Sequence, residues 1–408
     1  MSHLVVGGDV GGTNSRLALY KIPASKLALI EGRTPPGTIV YSKWYRNSEH
    51  ATFTDVFKTF LQEAAEAGAA IKEISTACLA VAGPVGNNEV TMTNRGRWVI
   101  NGEQLVKELG LKRVQLINDF VALGYGLLTV DRSNPNEVCV LQDAPVQPGA
   151  PIATIGAGTG LGECFLTPGD GGHYVAYPSE GGHAEFPPRT ETEFQLLEFL
   201  KRRYEQKHRV SVERVVSGPG IANVYDFLAE HYPDKVDESV DAAFRAAGEL
   251  GGKVVSENAK AGTLAGMALD IFAGAYGSEA GVAGLKWMPF GGLFITGGLT
   301  PKNIDRIAGN DSLFMAAFQD KGRVSPFLKK IPLYAVLVED LGERGAQWVA
   351  IKVLLEHLNG APPRRGALKG SSSGTSNGIP FWCTHTAVAM LGGALLATLS
   401  VLALKAKK

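Results

Sequence analysis

Cysteine is scarce in this chain, and net charge is absent. The four cysteines among its 408 residues (Cys78, Cys139, Cys164, Cys383) are widely spaced, with no Cys-x-x-Cys pair. A disulfide framework and a zinc knuckle are therefore not expected, and a reducing compartment fits. Basic and acidic residues number 40 each, a formal net charge of zero. That argues against broad electrostatic binding of nucleic acid. No Gly-x4-Gly-Lys-Ser/Thr segment marks a P-loop. No basic N-terminal segment leads into a long apolar run, so no cleaved signal peptide is expected. Glycine, by contrast, is abundant at 50 residues, and many turns or close backbone approaches must need a residue without Cβ. The zero charge also hides an asymmetry. Six of the basic residues and none of the acidic ones lie from Gly360 onward, which leaves a mildly acidic body and a basic tail.

Apolar runs and their periods divide the body into two similar halves. Leu4-Val5-Val6 ends in Gly7-Gly8, and residues 15–20 alternate after the next glycines, which predicts a β-hairpin around a glycine turn. Residues 53–67 have helical spacing with Thr52 or Thr54 as cap, and 74–81 is a buried strand closed by Ala82-Gly83-Pro84. A helix over 104–109, a strand over 114–117 and a helix over 120–128 follow. From about Pro151 the plan repeats: strand 152–155, a glycine-rich turn over 156–162, strand 163–166. Helices are expected over 193–204, 221–230 and, as one long segment, 242–275. Strands over 293–296 and 331–337 and a closing helix over 345–358 complete the body. Two hairpin-led α/β halves imply a duplicated architecture.

Three segments can carry chemistry. In Asp9-Val10-Gly11-Gly12-Thr13-Asn14, paired glycines let backbone N–H groups approach phosphate oxygens. Thr13 and Asn14 add donors, and Asp9 suits a water on Mg²⁺, a hard cation that prefers oxygen. The same residues also describe an ordinary tight hairpin. The second turn, Gly156-Ala157-Gly158-Thr159-Gly160-Leu161-Gly162, fails the dinucleotide pattern because Leu161 stands where its third glycine belongs. Two such turns in equivalent hairpins suit a phosphate chain gripped from both sides. Asn118-Asp119 ends the strand over 114–117, where α/β folds place ligands. A hydroxyl is a poor nucleophile until a base takes its proton, and a carboxylate in a cleft can do this during phosphoryl transfer. The pair also reads as a helix N-cap.

In order along the chain, these segments resemble the bacterial-type glucokinase family, within the hexokinase–actin–heat-shock ATPase superfamily. The matching motifs are Gly8 to Asn14, Thr91-Met92-Thr93-Asn94, Ile117-Asn118-Asp119-Phe120, Gly156 to Gly162, Glu180-Gly181-Gly182-His183, Ser211-Val212-Glu213-Arg214 with Ser217-Gly218-Pro219-Gly220, and Gly297-Gly298. The resemblance implies an α/β, two-lobed actin-like ATPase fold (ribonuclease H-like) with an interlobe cleft. Its small lobe would be 1–118 with the returning helix 345–359, and its large lobe 119–344. The implied reaction is ATP-dependent phosphorylation of D-glucose to glucose 6-phosphate, with Mg²⁺. A kinase for mannose or glucosamine and a non-catalytic sugar sensor are the alternatives. Asp119 matches the family's catalytic base, and Asn94, Asn118, Asp119, Glu180, His183 and Glu213 match its sugar-binding residues. ATP falls to Asp9, Gly11, Gly12, Thr13, Asn14, Gly158, Thr159, Gly160, Gly297 and Gly298.

Plainer readings stand beside these. Glu180 and His183, with Cys164 and His173 nearby, have a metal site as their rival reading. Glu213 also reads as a helix-entry carboxylate, Gly297-Gly298 as a strand-to-helix turn, and Arg16 as half of a structural ion pair. The stretches 32–37 and 233–238 are longer than the family pattern. Beyond the body, 360–386 reads as a flexible linker. Residues 387–404 carry no charge over 18 positions, which as a helix spans ~27 Å against a hydrocarbon core of ~30 Å. Phe381 and Trp382 precede this segment and Lys405, Lys407 and Lys408 follow it, so a membrane anchor is expected, with a packed Ala/Gly-rich helix as the alternative. The expected partners are glucose, ATP, a membrane and a second copy as homodimer, without nucleic acid. The kinase body would then face the cytosol, by analogy with proteins tail-anchored to organelle outer membranes.

Overall fold

Strict alternation along the N-terminal strand decides which way Asp9 faces. β1 (Ser2–Val10) sends Leu4, Val6 and Val10 into one apolar cluster and Val5 into another, so Asp9 shares the Val5 side. The glycine turn returns the chain as β2 (Asn14–Pro23), with Asp9 opposite Arg16. β3 (Thr38–Arg46) extends this antiparallel meander. α1 (Phe53–Glu66) buries Phe53, Val56, Phe57 and Phe60, the i, i+3, i+4, i+7 stripe of an amphipathic helix. Thr52 and Asp55 close a capping box at its start, each side chain accepting the other's N–H. β4 (Ile74–Val81) then pairs parallel to β1, a small hairpin of β5 (Glu89–Thr91) and β6 (Val99–Asn101) follows, and α2 (Gly102–Leu109) leads to β7 (Arg113–Asn118), parallel to β4. The first sheet has the order β3-β2-β1-β4-β7. The computed structural model describes residues 1–92, 98–169, 172–309 and 311–361. Asn94, the tail and all of the linker from residue 362 onward lie outside them.

A second sheet repeats the first. α3 (Asp119–Leu127) and β8 (Val138–Gln142) precede the meander of β9 (Ile152–Ala157), β10 (Leu161–Pro168) and β11 (Tyr174–Ser179). The helices α4 (Glu191–Arg203), α5 (Gly218–His231), α6 (Glu238–Ala247), α7 (Gly251–Glu257) and α8 (Leu264–Trp287) come next. β12 (Gly292–Thr296) is followed by short helices α9 (Leu299–Lys302), α10 (Ile304–Ile307), α11 (Leu313–Gln319) and α12 (Ser325–Leu328), then β13 (Leu333–Val336) and α13 (Leu341–Leu358). The order is β11-β10-β9-β12-β13-β8. β9, β10, β11, β12 and β13 thus stand where β1, β2, β3, β4 and β7 stand in the first sheet, and β8 is an added antiparallel edge.

The expected long helix over 242–275 is not one helix. It breaks into α6, α7 and the start of α8. Gly248 ends α6 at φ 54°, and Gly262, at φ 80°, precedes Thr263, whose hydroxyl accepts the N–H of Gly266 to cap α8. Composition alone reads as continuous because these glycines differ from helical ones only in backbone angle.

α3 and α13 share one apolar cluster with residues of both sheets, among them Val5, Cys78, Cys164 and Phe294. The two helices touch through glycine. A Cβ on Gly345 would overlap the carbonyl of Ala122, and one on Gly126 would overlap the backbone of Leu341. This contact fixes α3, and α3 begins with Asp119.

Candidate active site

Parallel strands of both sheets end at the site. In the first sheet Asp9 is level with Ala80, and Val81 with Asn118. In the second, Thr296 is level with Gly156, so Gly158 and Gly297 leave adjacent strands together. A cleft of about 420 Å³ is lined by Gly83, Asn118, Asp119, Gly158, Thr159, Gly160, Glu180, His183, Glu213 and Gly297, with Phe120, Leu123 and Ser179 beside them. The expected sugar residues among those described therefore come together with the second glycine turn. Asp9, Gly11, Gly12, Thr13, Asn14 and Gly298 are not among the lining residues.

Asn118 caps α3. Its Oδ1 accepts the N–H of Phe120 at 2.9 Å and of Val121 at 3.3 Å, and its Nδ2 donates to the carbonyl of Gly83 at 3.2 Å. Asp119 is thereby held as the first helical residue, its Oδ1 accepting from the Phe120 N–H at 2.9 Å. Burial raises the Asp119 carboxyl above the usual range; the Phe120 N–H and neighbouring hydrogen bonds oppose this, and the charge of Glu180 adds to it. Burial also raises Asp9, the Asp119 charge adding and Arg16 opposing. Arg16 itself pairs with Glu343 at the start of α13 and lies over the Trp44 ring at 5.2 Å.

The first glycine turn is closed by the Gly11 N–H on the Asn14 carbonyl at 3.0 Å. Buried Asn47 holds it from outside, donating to Gly11 O at 2.8 Å, accepting from Ser15 Oγ at 2.7 Å, and sending its own N–H to Thr13 O at 2.9 Å. Asn47 was not picked out from sequence, because its partners lie mainly in the main chain of a distant turn.

In the second turn the Gly158 N–H donates to Gly160 O, and the Gly218 N–H at the start of α5 donates to Gly158 O, both at 2.8 Å. Leu161 N–H donates to Glu213 Oε2 at 3.0 Å. A Cβ on Gly160 would meet that carboxylate at 2.5 Å, whereas one on Gly158 would meet nothing within 4 Å. A side chain at 160 would therefore displace the Glu213 carboxylate, while Gly158 offers bare backbone to open space. Gly297 has φ 82°, and a Cβ there would overlap the Ala157 carbonyl. Fully buried Tyr276 joins these elements: its hydroxyl lies 3.1 Å from Ile155 O and 3.0 Å from Thr296 O, and accepts the Ala157 N–H at 3.2 Å.

Glu180 precedes a single turn of 3-10 helix (Gly181–His183) that His183 ends, both exposed, with carboxylate and imidazole 3.9 Å apart. Cys164 is buried on the α3 side, against Gly124. Among the described residues no group of three or more His, Cys, Asp or Glu is arranged to hold a metal.

The sequence profile of the glucokinase family matches residues 6–353. This chain belongs to the glucokinase family. A glucokinase of Synechocystis is 39% identical over 352 residues, 84% of this chain and 96% of that relative. Among solved structures, a glucokinase from an Antarctic psychrotroph is 26% identical, superposes with a TM-score of 0.65 and covers 86% of this chain and 99% of its own. A glucokinase of Balamuthia mandrillaris, in complex with glucose, is 22% identical with a TM-score of 0.67 over 86% of this chain and 94% of its own. The glucokinase fold here is the two-lobed actin-like ATPase fold, and the paired meanders with their glycine turns are its repeated unit. Sequence reasoning also passed over Gly83, Phe120 and Ser179 as glucokinase cleft residues. The first had a usable signal, since Ala82-Gly83-Pro84 ends a buried strand parallel to its neighbours.

Proposed function

We propose that the cleft binds D-glucose beside the phosphate chain of ATP and transfers the γ-phosphoryl group to the sugar, yielding glucose 6-phosphate and ADP. The observation that carries this is the placement of Asp119, locked at a helix start between the Glu180–His183 turn and the Gly158–Gly160 turn. Asp119 takes the proton of the attacking hydroxyl as the bond from phosphorus to the ADP oxygen breaks. Asn94, Asn118, Glu180, His183 and Glu213 bind the sugar hydroxyls in this reading. Backbone N–H groups of both glycine turns bind phosphate oxygens, with Thr13, Asn14 and Thr159 as side-chain donors, and Gly297-Gly298 packs against the adenosine. Asp9, an oxygen donor beside Asp119, would hold the magnesium carried by ATP through water, where the cation neutralises charge on the phosphates. The lobes 1–118 with 345–359 and 119–344 close over the sugar.

A coupled ADP-release assay across glucose, mannose and glucosamine tests the reading. Glucose is expected to give the highest kcat/KM. Preference for another hexose moves the assignment to that sugar, and sugar binding without turnover makes the protein a sensor. Glu180→Gln and His183→Ala are each expected to raise the glucose KM about tenfold or more, the cost of one lost hydrogen bond to a desolvated hydroxyl, with the ATP KM little changed. The basic, uncharged-then-lysine tail serves as a membrane anchor in the same reading, with the kinase body on the cytosolic side. Carbonate-resistant membrane association, lost when residues 370–408 are removed, is the expected result. Sedimentation of the full chain reads the homodimer.

A further inference from the structure

Beneath the sugar turn lies a carboxyl group that the reaction as described does not use. Glu163 on β10 is 2% exposed and points to the α8 side of its sheet, opposite Cys164. Its Oε2 is 3.5 Å from the Ser179 hydroxyl, and that hydroxyl accepts the N–H of Gly181 at 3.1 Å. A serine oxygen that accepts from an amide keeps one proton to give, and the carboxylate is its partner. The relay from carboxylate through hydroxyl to amide thus ends one residue from Glu180. The packing is equally close. A Cβ on Gly181 would overlap the Glu163 carboxylate, and one on Gly182 would overlap the Leu161 carbonyl. Two glycines therefore let the turn rest directly on β10 and on this side chain. Glu163 Oε1 has no hydrogen-bond partner among the described residues.

We propose that Glu163 is a positioning residue for the glucose site, holding Glu180 and His183 in place through Ser179 and Gly181, so that glucose affinity follows the charge on its carboxyl group. This rests on the reading of Glu180 and His183 as sugar-binding residues. Burial pushes Glu163 up to about 7, Glu279 adding to the effect while Lys286 and the Ser179 hydroxyl oppose it. The groups facing it are Glu279, Lys286 and Tyr276 on α8 and Ser179 on β11. Glu279 is itself raised by burial, with Lys286 and Lys321 pulling it down. Ionised, Glu163 accepts a hydrogen bond from the Ser179 hydroxyl, which leaves a serine lone pair directed at the Gly181 amide. Protonated, it is a weaker acceptor, the hydroxyl is released to rotate, and the turn loses its anchor. The sign follows: glucose KM is lowest above neutrality and rises as pH falls through about 7.

The test measures kcat and both KM values from pH 6 to 8.5 in the wild-type chain, Glu163→Gln and Ser179→Ala. At pH 8 both variants are expected to raise the glucose KM about three- to fivefold, the loss of one long hydroxyl-to-carboxylate hydrogen bond. For Glu163→Gln, kcat and ATP KM should stay within about twofold, and this variant should lose the change in glucose KM near neutrality. A wild-type pH profile of glucose KM retained in Glu163→Gln overturns the proposal. Should that variant fail to fold, an unchanged glucose KM in Ser179→Ala overturns it instead. Glu180→Gln, run in parallel, separates the two levels. If it leaves glucose KM unchanged, the sugar-site reading has failed; if it raises KM while Glu163→Gln does not, only this inference has.

Discussion

Asp119→Ala is expected to lower kcat by about 10²- to 10⁴-fold, the contribution of a positioned general base, while glucose still binds with nearly its wild-type Kd. Binding survives because the cleft keeps Asn118, Glu180, His183 and Glu213, and because Asn118, not Asp119, caps α3. Near-normal turnover would refute the role. The pH dependence gives a second readout. A base acts only when ionised, and burial holds the Asp119 carboxyl above the usual range. Wild-type kcat, which the Glu163 effect on glucose KM leaves unchanged, should therefore fall on the acid side at a pH higher than an exposed aspartate would give, and residual kcat in the variant should lack that limb. Stability should move the other way. A carboxyl raised in the folded state favours folding most when protonated; that contribution is full below the unfolded value and is lost as pH rises through the folded one. Asp119→Asn is thus expected to unfold at a higher temperature than wild type near neutral pH, and at a similar temperature in acid. A site that is easier to fold without its base carries the strain of its function.

The second large effect is mechanical. Gly345→Ala places a methyl group on the Ala122 carbonyl, backbone against backbone, and neither helix has a side chain that can yield. α13 is also pinned to the first sheet, where Thr76 Oγ1 donates to Ala350 O at 3.0 Å, so the strain falls on α3. Overpacking of this kind costs about 1–3 kcal/mol, which denaturant unfolding would read. Displacing α3 also moves Asp119, and kcat is expected to drop with stability, whereas a merely destabilised protein would keep kcat per folded molecule. Gly126→Ala, at the same crossing, should act alike. Because both substitutions separate the same pair of helices, the double variant is expected to lose less than the sum.

How much of this was legible beforehand depended on where each residue's partners lie. Strands β1, β4, β9 and β12 are buried runs, and their sequences announce them. β3 is an edge strand with only Tyr45 buried, so its alternation carries no hydrophobic signal; β8 and β11 are similarly half-exposed. Asn118-Asp119 stood out because one short pair combines a cap with a carboxylate at a strand end. Asn47, Tyr276 and Glu163 did not, since each acts on main-chain atoms or a hydroxyl far away in sequence. No local pattern distinguishes a buried glutamate under a turn from a solvated one on a strand face. The breaks within 242–275 were hidden for a related reason: a glycine that stops a helix and a glycine that continues one have the same side chain.

The single hydroxyl of Tyr276 has a further consequence. It can at once accept the Ala157 N–H of the strand leading into the Gly158 turn and donate to Thr296 O of the strand leading into Gly297. The spacing between those two turns is then set like the jaws of a gauge before any nucleotide arrives. If, as proposed above, the Gly158 turn holds phosphate and Gly297 the adenosine, a ligand with the two at the right distance would meet both jaws without reordering the backbone, while a shorter one would reach only one of them. Tripolyphosphate and adenosine should accordingly each bind far more weakly than ATP, and by more than their separate contacts suggest, because a rigid gauge rewards the joined molecule alone.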